Sequence, residues 1–190
     1  MDPDLEELVA LLARGVGSET PGFTGTWERT IGDGAPCRWR VWRRGRLARV
    51  ENPPGVLRMI AGDESYWRKW PVDAEVAEIP RSRESDDFEL SAFTMLEPED
   101  YWQRWLGRDP EVVARTLRAV RYLGRRAYVF TAPEVKGRSI QLTADAELGV
   151  VLRYESRELG VIESWSDFST EPPPSDDMFV FDAADVWATD

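Results

Sequence analysis

The sequence predicts an antiparallel α+β fold, and three observations carry that reading. Alternating apolar segments come in blocks, without the regular β-α alternation of a parallel sheet. Residues 117–158 read as a strand meander around the turn Gln141-Leu142-Thr143-Ala144-Asp145-Ala146-Glu147-Leu148-Gly149-Val150-Val151-Leu152-Arg153. Helix signals are confined to the N-terminus and to a mid-chain pair. No repeat of solenoid period is present.

In chain order, Leu5, Leu8, Val9, Leu11 and Leu12 follow helical spacing, with Asp4 as N-cap and Gly15 as the stop. A linker over 17–22 leads to a strand over 23–31, closed by Gly32-Asp33-Gly34. In the next strand, 37–43, period-two alternation puts Cys37, Trp39 and Val41 on one face and Arg38, Arg40 and Trp42 on the other. A strand over 46–51 ends at Asn52-Pro53-Pro54-Gly55, and 56–61 with 65–70 form a hairpin. The polar, acidic, Pro-containing stretch 71–87 reads as a mobile loop. A strand is expected over 88–95. Pro98 then opens a short helix bearing Tyr101, Trp102 and Trp105, and Asp109-Pro110-Glu111 opens a second one to about residue 116. The meander follows, with strands over 117–122, 127–131, 139–143, 150–156 and 161–168, a Pro-rich spacer, a short element over 178–181 and an acidic tail over 182–190. The length of 190 residues is that of one domain, 1–190.

Composition narrows the chemistry. The net charge of −11 opposes general affinity for nucleic acid or an anionic membrane. No run reaches the roughly 18 apolar residues of a membrane span. The N-terminus has no basic start and no long apolar core, so a cytoplasmic location is expected. There are 22 Arg against 2 Lys and one Asn, a bias of GC-rich coding. The chain has no His, which removes imidazole-based triads and His metal sites. Gly-x-Ser-x-Gly, phosphate-cradling Gly loops and Cys pairs are missing too. The expectation is therefore a non-enzyme without cofactor or metal. Asp86-Asp87-Phe88-Glu89 and Asp176-Asp177 are candidate acid/base or Ca²⁺ groups, and solvated loop charge is the favoured reading. Cys37 cannot form an intrachain disulfide and, alternating with Trp39 and Val41, is expected to be a buried thiol.

Charge is segregated. Residues 38–70 carry nine basic and three acidic side chains, +6, which leaves −17 for the remainder. Residues 163–190 hold eight acidic side chains and no basic one. The basic block is either a solvated sheet face paired internally with acidic segments or a docking face for an acidic partner, with Arg38, Arg40, Trp42 and Arg43 as its candidates. The interleaved Trp residues also suit single-stranded nucleic acid, but the net charge opposes it.

The layout resembles the LolA/LolB/RseB-like family of lipoprotein carriers and envelope-stress regulators. The resemblance rests on Gly124-Arg125-Arg126-Ala127-Tyr128-Val129-Phe130, on the 141–153 hairpin, where Asp145, Gly149, Leu152 and Arg153 match the family's turn pattern, and on Pro172-Pro173-Pro174-Ser175-Asp176-Asp177-Met178-Phe179. It covers the second half well and the first half in outline. It implies a strongly curved antiparallel sheet, an unclosed half-barrel, covered by the N-terminal helix and the two short inserted helices. It also implies a concave face that holds an apolar small molecule, an acyl chain or a hydrophobic segment. Relatives are mostly extracytoplasmic. On such a face Trp39, Val41, Met59, Trp67, Phe93, Trp102, Trp105 and Phe130 are the candidate lining, with plain core as the open alternative. A cytoplasmic protein-interaction module using the Arg/Trp face is the second reading.

Overall fold

The structure, a computed structural model, describes residues 6–8, 10, 21–45, 47–53, 55–61, 65–68, 77–80, 110–133 and 138–180. Its strands are β1 (Phe23–Ile31), β2 (Cys37–Arg44), β3 (Leu47–Asn52), β4 (Val56–Ala61), β5 (Ser65–Arg68), β6 (Ala77–Pro80), β7 (Arg118–Tyr122), β8 (Arg125–Pro133), β9 (Ser139–Asp145), β10 (Val151–Ser156) and β11 (Val161–Ser169). They form one antiparallel sheet in the order β6-β5-β4-β3-β2-β1-β11-β10-β9-β8-β7. The order is linear between two end strands, so the described sheet is not closed. Among the described residues helices are few: residues 6–8 and 10 are helical, α1 spans Pro110–Thr116, and a 3₁₀ turn spans Asp176–Phe179.

The predicted strands within the described residues are present, and α1 starts at the Asp109-Pro110-Glu111 signal. Pro110 lacks the amide proton that a first-turn residue would leave unbonded, Glu111 faces the positive helix end, and Arg115 the negative end. The strand expected over 88–95 and the helix opened by Pro98 lie outside the described residues. Two expectations are corrected. Residues 77–80, expected within a mobile loop, form β6, paired antiparallel with β5. As an end strand it tolerates Pro80, because a proline there removes no ladder bond from a second neighbour. Cys37 is exposed, not buried. The β2–β3 register begins at Arg40↔Glu51, so the first residues of β2 run beyond the partner strand that would have covered them.

The chain divides into two compact units. One comprises Met1–Gly17, Glu28–Cys37 and Leu90–Ser166, and the other Ser18–Trp27, Arg38–Glu89 and Asp167–Asp190.

The first unit is built on the predicted meander. Register puts Phe130 opposite Leu142 and Tyr128 opposite Ala144. All four are fully buried, with Ile140, Leu152 and Trp165 at 1% exposure or less. Helical Leu8 and Val113 are also at 0%, so aliphatic side chains from helices belong to this core. Glu7 ties the N-terminal helical segment to β8. Its carboxylate accepts from Tyr128 Oη at 2.7 Å and from Arg126 Nη2 at 3.1 Å. Thr116 ends α1 and receives the Thr131 amide of β8 at 2.9 Å, past the last β7–β8 pair, Arg118↔Val129. At the opposite end of β7, Tyr122 Oη lies 3.5 Å from the Trp165 carbonyl of β11, four strands away in the sheet order. In a flat sheet four strand spacings would be about 19 Å. A tyrosine side chain cannot span that, so this end of the unit is rolled.

The β9–β10 turn follows the predicted chemistry. Asp145 Oδ1 accepts the amides of Glu147 at 2.9 Å and Leu148 at 2.8 Å. Gly149 has φ +69° and returns its own amide to the Asp145 carbonyl at 3.0 Å. That left-handed position is one glycine adopts at little cost. Arg125 pairs with the fully buried Asp145 carboxylate and reaches Glu147 at 2.8 Å. At the bulge after Val151, Trp165 Nε1 donates to the Val151 carbonyl at 3.0 Å. A second buried ion pair, Arg29–Glu163, joins β1 and β11 at 3.4 Å, with Glu163 at 1% exposure.

In the second unit, Phe23 of β1 packs on Phe168 of β11 with ring centroids 5.0 Å apart. Trp27 is 1% exposed.

Candidate functional site

The two candidate surfaces lie on opposite faces of β2 to β4. On one face the register aligns Val41↔Val50 and Val50↔Met59, a cross-strand row over three strands. The three side chains are 2%, 4% and 3% exposed, and Ala48, two residues before Val50 on β3, is buried as well. Alternation puts one side chain in two on this face, and on β2 and β3 these are apolar except Arg43 and Asn52. Trp39, half-buried, has the same parity at the start of β2. Thus Val41 and Met59, two of the expected lining residues, are brought together. Trp67 is not in their row, since register pairs it with Ile60 and pairs Met59 with Arg68. Phe130 is fully buried in the first unit. Phe93, Trp102 and Trp105 lie outside the described residues.

Arg43, a candidate for solvent docking, is placed otherwise by the structure. It shares the Val41 face, is 3% exposed, and donates Nε to the Gly45 carbonyl at 2.8 Å. The strand period carried that signal already, since residues 41 and 43 share parity.

The other face carries Arg40, Trp42 and Arg44 on β2, opposite Glu51, Arg49 and Leu47 on β3. Arg40 stacks over Trp42, 5.7 Å from guanidinium carbon to ring centroid. Its Nη1 donates to Asp167 at 2.7 Å. The same carboxylate accepts the Thr26 amide. Burial pushes the Asp167 pKa up, but the Thr26 hydrogen bonds and the Arg40 charge outweigh it and hold the carboxyl below its ordinary range. Arg49 donates Nε to Glu51 at 2.7 Å. Arg38, at the exposed start of β2, also makes interactions.

The acidic C-terminal segment lies across this basic face. Arg44 pairs with Asp176 and stacks over Phe179 at 5.8 Å. Arg49 Nη1 lies 3.4 Å from the Met178 carbonyl. Phe179 is only 5% exposed, and Pro174 is buried next to Gly22. A Cβ added at Gly22 would sit 2.8 Å from Pro174 Cδ, so glycine at 22 is what lets the proline seat. Sequence reasoning missed Arg44, Arg49, Asp167 and Phe179 as members of this site. The charge asymmetry between 38–70 and 163–190 pointed to internal pairing, but not to these partners.

The first unit has a groove of about 280 Å³ lined by Ile140 and by polar residues that include Thr131, Gln141, Glu155 and Arg157. Its lining includes none of the apolar candidates. Among the described residues no group of three or more Cys, Asp or Glu side chains is arranged to hold a metal. Also among them, no helix is long and apolar enough to cross a membrane. Asp176 is 79% exposed, as expected of a solvated charge, although it is paired with Arg44.

This architecture is a LolA/LolB/RseB-like fold. Among solved structures, MucB matches with a TM-score of 0.50 at 16% identity, over 95% of this chain and 63% of that one. The chain thus spans a little under two thirds of MucB's length. A chain of the MucA/MucB complex of Pseudomonas aeruginosa matches with a TM-score of 0.52 at 14% identity, over 95% and 62%. A Thermus thermophilus protein, described as uncharacterized and conserved, matches end to end: TM-score 0.56, 13% identity, 96% of both chains. At these identities the likeness is one of fold. No family profile matches the chain. No curated protein sequence matches it either.

Proposed function

We propose that the protein is a non-enzymatic binding protein that holds an apolar ligand, of acyl-chain type, or a hydrophobic segment against one face of its sheet. The observation that carries this reading is the Val41–Val50–Met59 row, apolar and continuous over three strands; at 2–4% exposure it is covered by the chain itself, so a ligand enters by displacing that cover. The LolA/LolB/RseB-like fold supports it. On this reading Trp39, half-buried at the start of β2, borders the face. Burial of ligand area, at roughly 25 cal/mol per Å², supplies the affinity. A polarity-sensitive dye displaced by fatty acids tests this. Saturable displacement that weakens on Met59→Ala is expected. Non-saturating uptake, unchanged in that variant, counts against the reading.

A second reading is favoured by one observation, the occupied Arg/Trp face. There the protein is an interaction module whose β2–β3 surface takes an acidic protein partner. The neighbour of similar fold described as MucA/MucB is a complex of two proteins. Arg40→Glu with Arg44→Glu should abolish such a partner's binding while circular dichroism stays unchanged. Undiminished binding by the double variant removes that face from consideration.

A further inference from the structure

The basic face of β2–β3 already holds a ligand, a piece of its own chain. One guanidinium, Arg44, makes two kinds of contact at once, with the Asp176 carboxylate and with the ring of Phe179. A planar, delocalised cation is suited to both, because its edge matches a carboxylate and its flat face matches an aromatic ring. Arg49, held in place by Glu51 at 2.7 Å, adds a donor close to a backbone carbonyl, that of Met178. Asp176 and Phe179 are three positions apart within one 3₁₀ turn, where such residues align on the same side. The face therefore reads a short pattern: a carboxylate, one turn, an aromatic ring.

We infer that this face is a docking site for an acidic–aromatic peptide segment of a partner protein, and that residues 174–179 occupy it in cis until such a segment displaces them. The inference rests on the second reading above and adds the ligand class and the competitor. Charge complementarity selects the partner: the block 38–70 carries +6, while the segment that fills it comes from a stretch with eight acidic and no basic residues. A tethered segment competes at an effective concentration of order millimolar, so a free peptide meets a largely occupied site. A strap seated nine-tenths of the time lowers apparent affinity about 10-fold.

Gly22 provides a way to lift the strap without touching either the strap or the arginines. Gly22→Ala drives a methyl group into Pro174 Cδ, a rigid ring atom that cannot swing aside. Asp176→Asn with Phe179→Ala removes the strap's two anchors directly.

The experiment is fluorescence anisotropy with a labelled peptide of sequence Pro-Ser-Asp-Asp-Met-Phe-Val, and a control peptide with Lys in place of both Asp. The expected result is binding about 10-fold tighter to the Asp176→Asn/Phe179→Ala variant than to the unaltered chain. Gly22→Ala should fall between them, the Lys peptide should not bind, and adding Arg44→Glu should abolish binding. If the double variant does not fold by circular dichroism, Gly22→Ala carries the comparison. Equal binding to the unaltered and strap-weakened chains, still lost with Arg44→Glu, would overturn the strap inference and leave the docking face standing. No binding to a folded strap-weakened chain overturns both.

Discussion

Arg125 on β8 and Asp145 at the end of β9 form an ion pair whose carboxylate also organises the following turn. Asp145 is fully buried, Arg125 is 21% exposed, and Asp145 Oδ1 takes the amides of Glu147 and Leu148. The Asp145 hydrogen bond, opposed by burial and helped by the charges of Asp145 and Glu147, raises the Arg125 pKa further. Removing the carboxylate leaves two amides and a guanidinium without their shared acceptor. Asp145→Ala should cost about 2–4 kcal/mol in urea unfolding, and Asp145→Asn, which keeps one acceptor oxygen, clearly less.

Gly149, four residues on, closes the same turn with φ +69°. Gly149→Ala should cost about 1 kcal/mol, a strain any β-carbon meets in that conformation. The measurement is a thermal melt against the unaltered chain.

The two faces of β2 should respond oppositely to charge reversal. Arg40 is 39% exposed and its partner Asp167 57%, so Arg40→Glu should cost no more than about 1 kcal/mol. Arg43 is buried among apolar neighbours, and Arg43→Glu should cost about 3 kcal/mol or more. Equal unfolding midpoints for the two variants would contradict this assignment of faces.

Acid should destabilise the fold through three carboxylates. The Tyr128 hydrogen bond, opposed by burial and aided by Arg126, lowers the Glu7 pKa. Hydrogen bonds from Arg153 and Arg157 lower that of Glu155 against the opposing effect of burial. Asp167 is lowered as described. A pKa depressed in the folded state means fewer bound protons there than in the unfolded chain. Their stabilisation is complete above the ordinary carboxylate values of 4.5 and 3.8 and is lost as pH falls through the lower folded ones. Urea midpoints should therefore hold steady from pH 8 to about 5 as far as these groups contribute, then drop. Glu7→Gln should make that drop shallower.

What the sequence made legible follows from how local each signal is. The β9–β10 hairpin and the start of α1 are written in a few adjacent residues, Asp145 with Gly149 and Asp109 with Pro110, and both form where expected. β6 was not legible, because its pairing with β5 is tertiary and Pro80 reads as a strand breaker unless the strand lies at a sheet end. The exposure of Cys37 depends on where β3 begins to pair, which alternation along β2 cannot reveal. Buried Glu163 could have been found, since it alternates with Val161 and Trp165 on the core face. Of the site, the apolar parity of Val41 and Met59 was readable. The contact of Arg44 with Asp176 and Phe179 joins residues more than 130 positions apart and left only a charge asymmetry behind.

The central claim is that the sheet binds an apolar ligand, and native mass spectrometry of the gently purified protein tests it most directly. The expected result is either a species heavier than the 21.7 kDa chain that loses a small apolar molecule on activation, or uptake of one added fatty acid per chain. A bare 21.7 kDa mass that shifts with neither fatty acids nor a hydrophobic dye would contradict it.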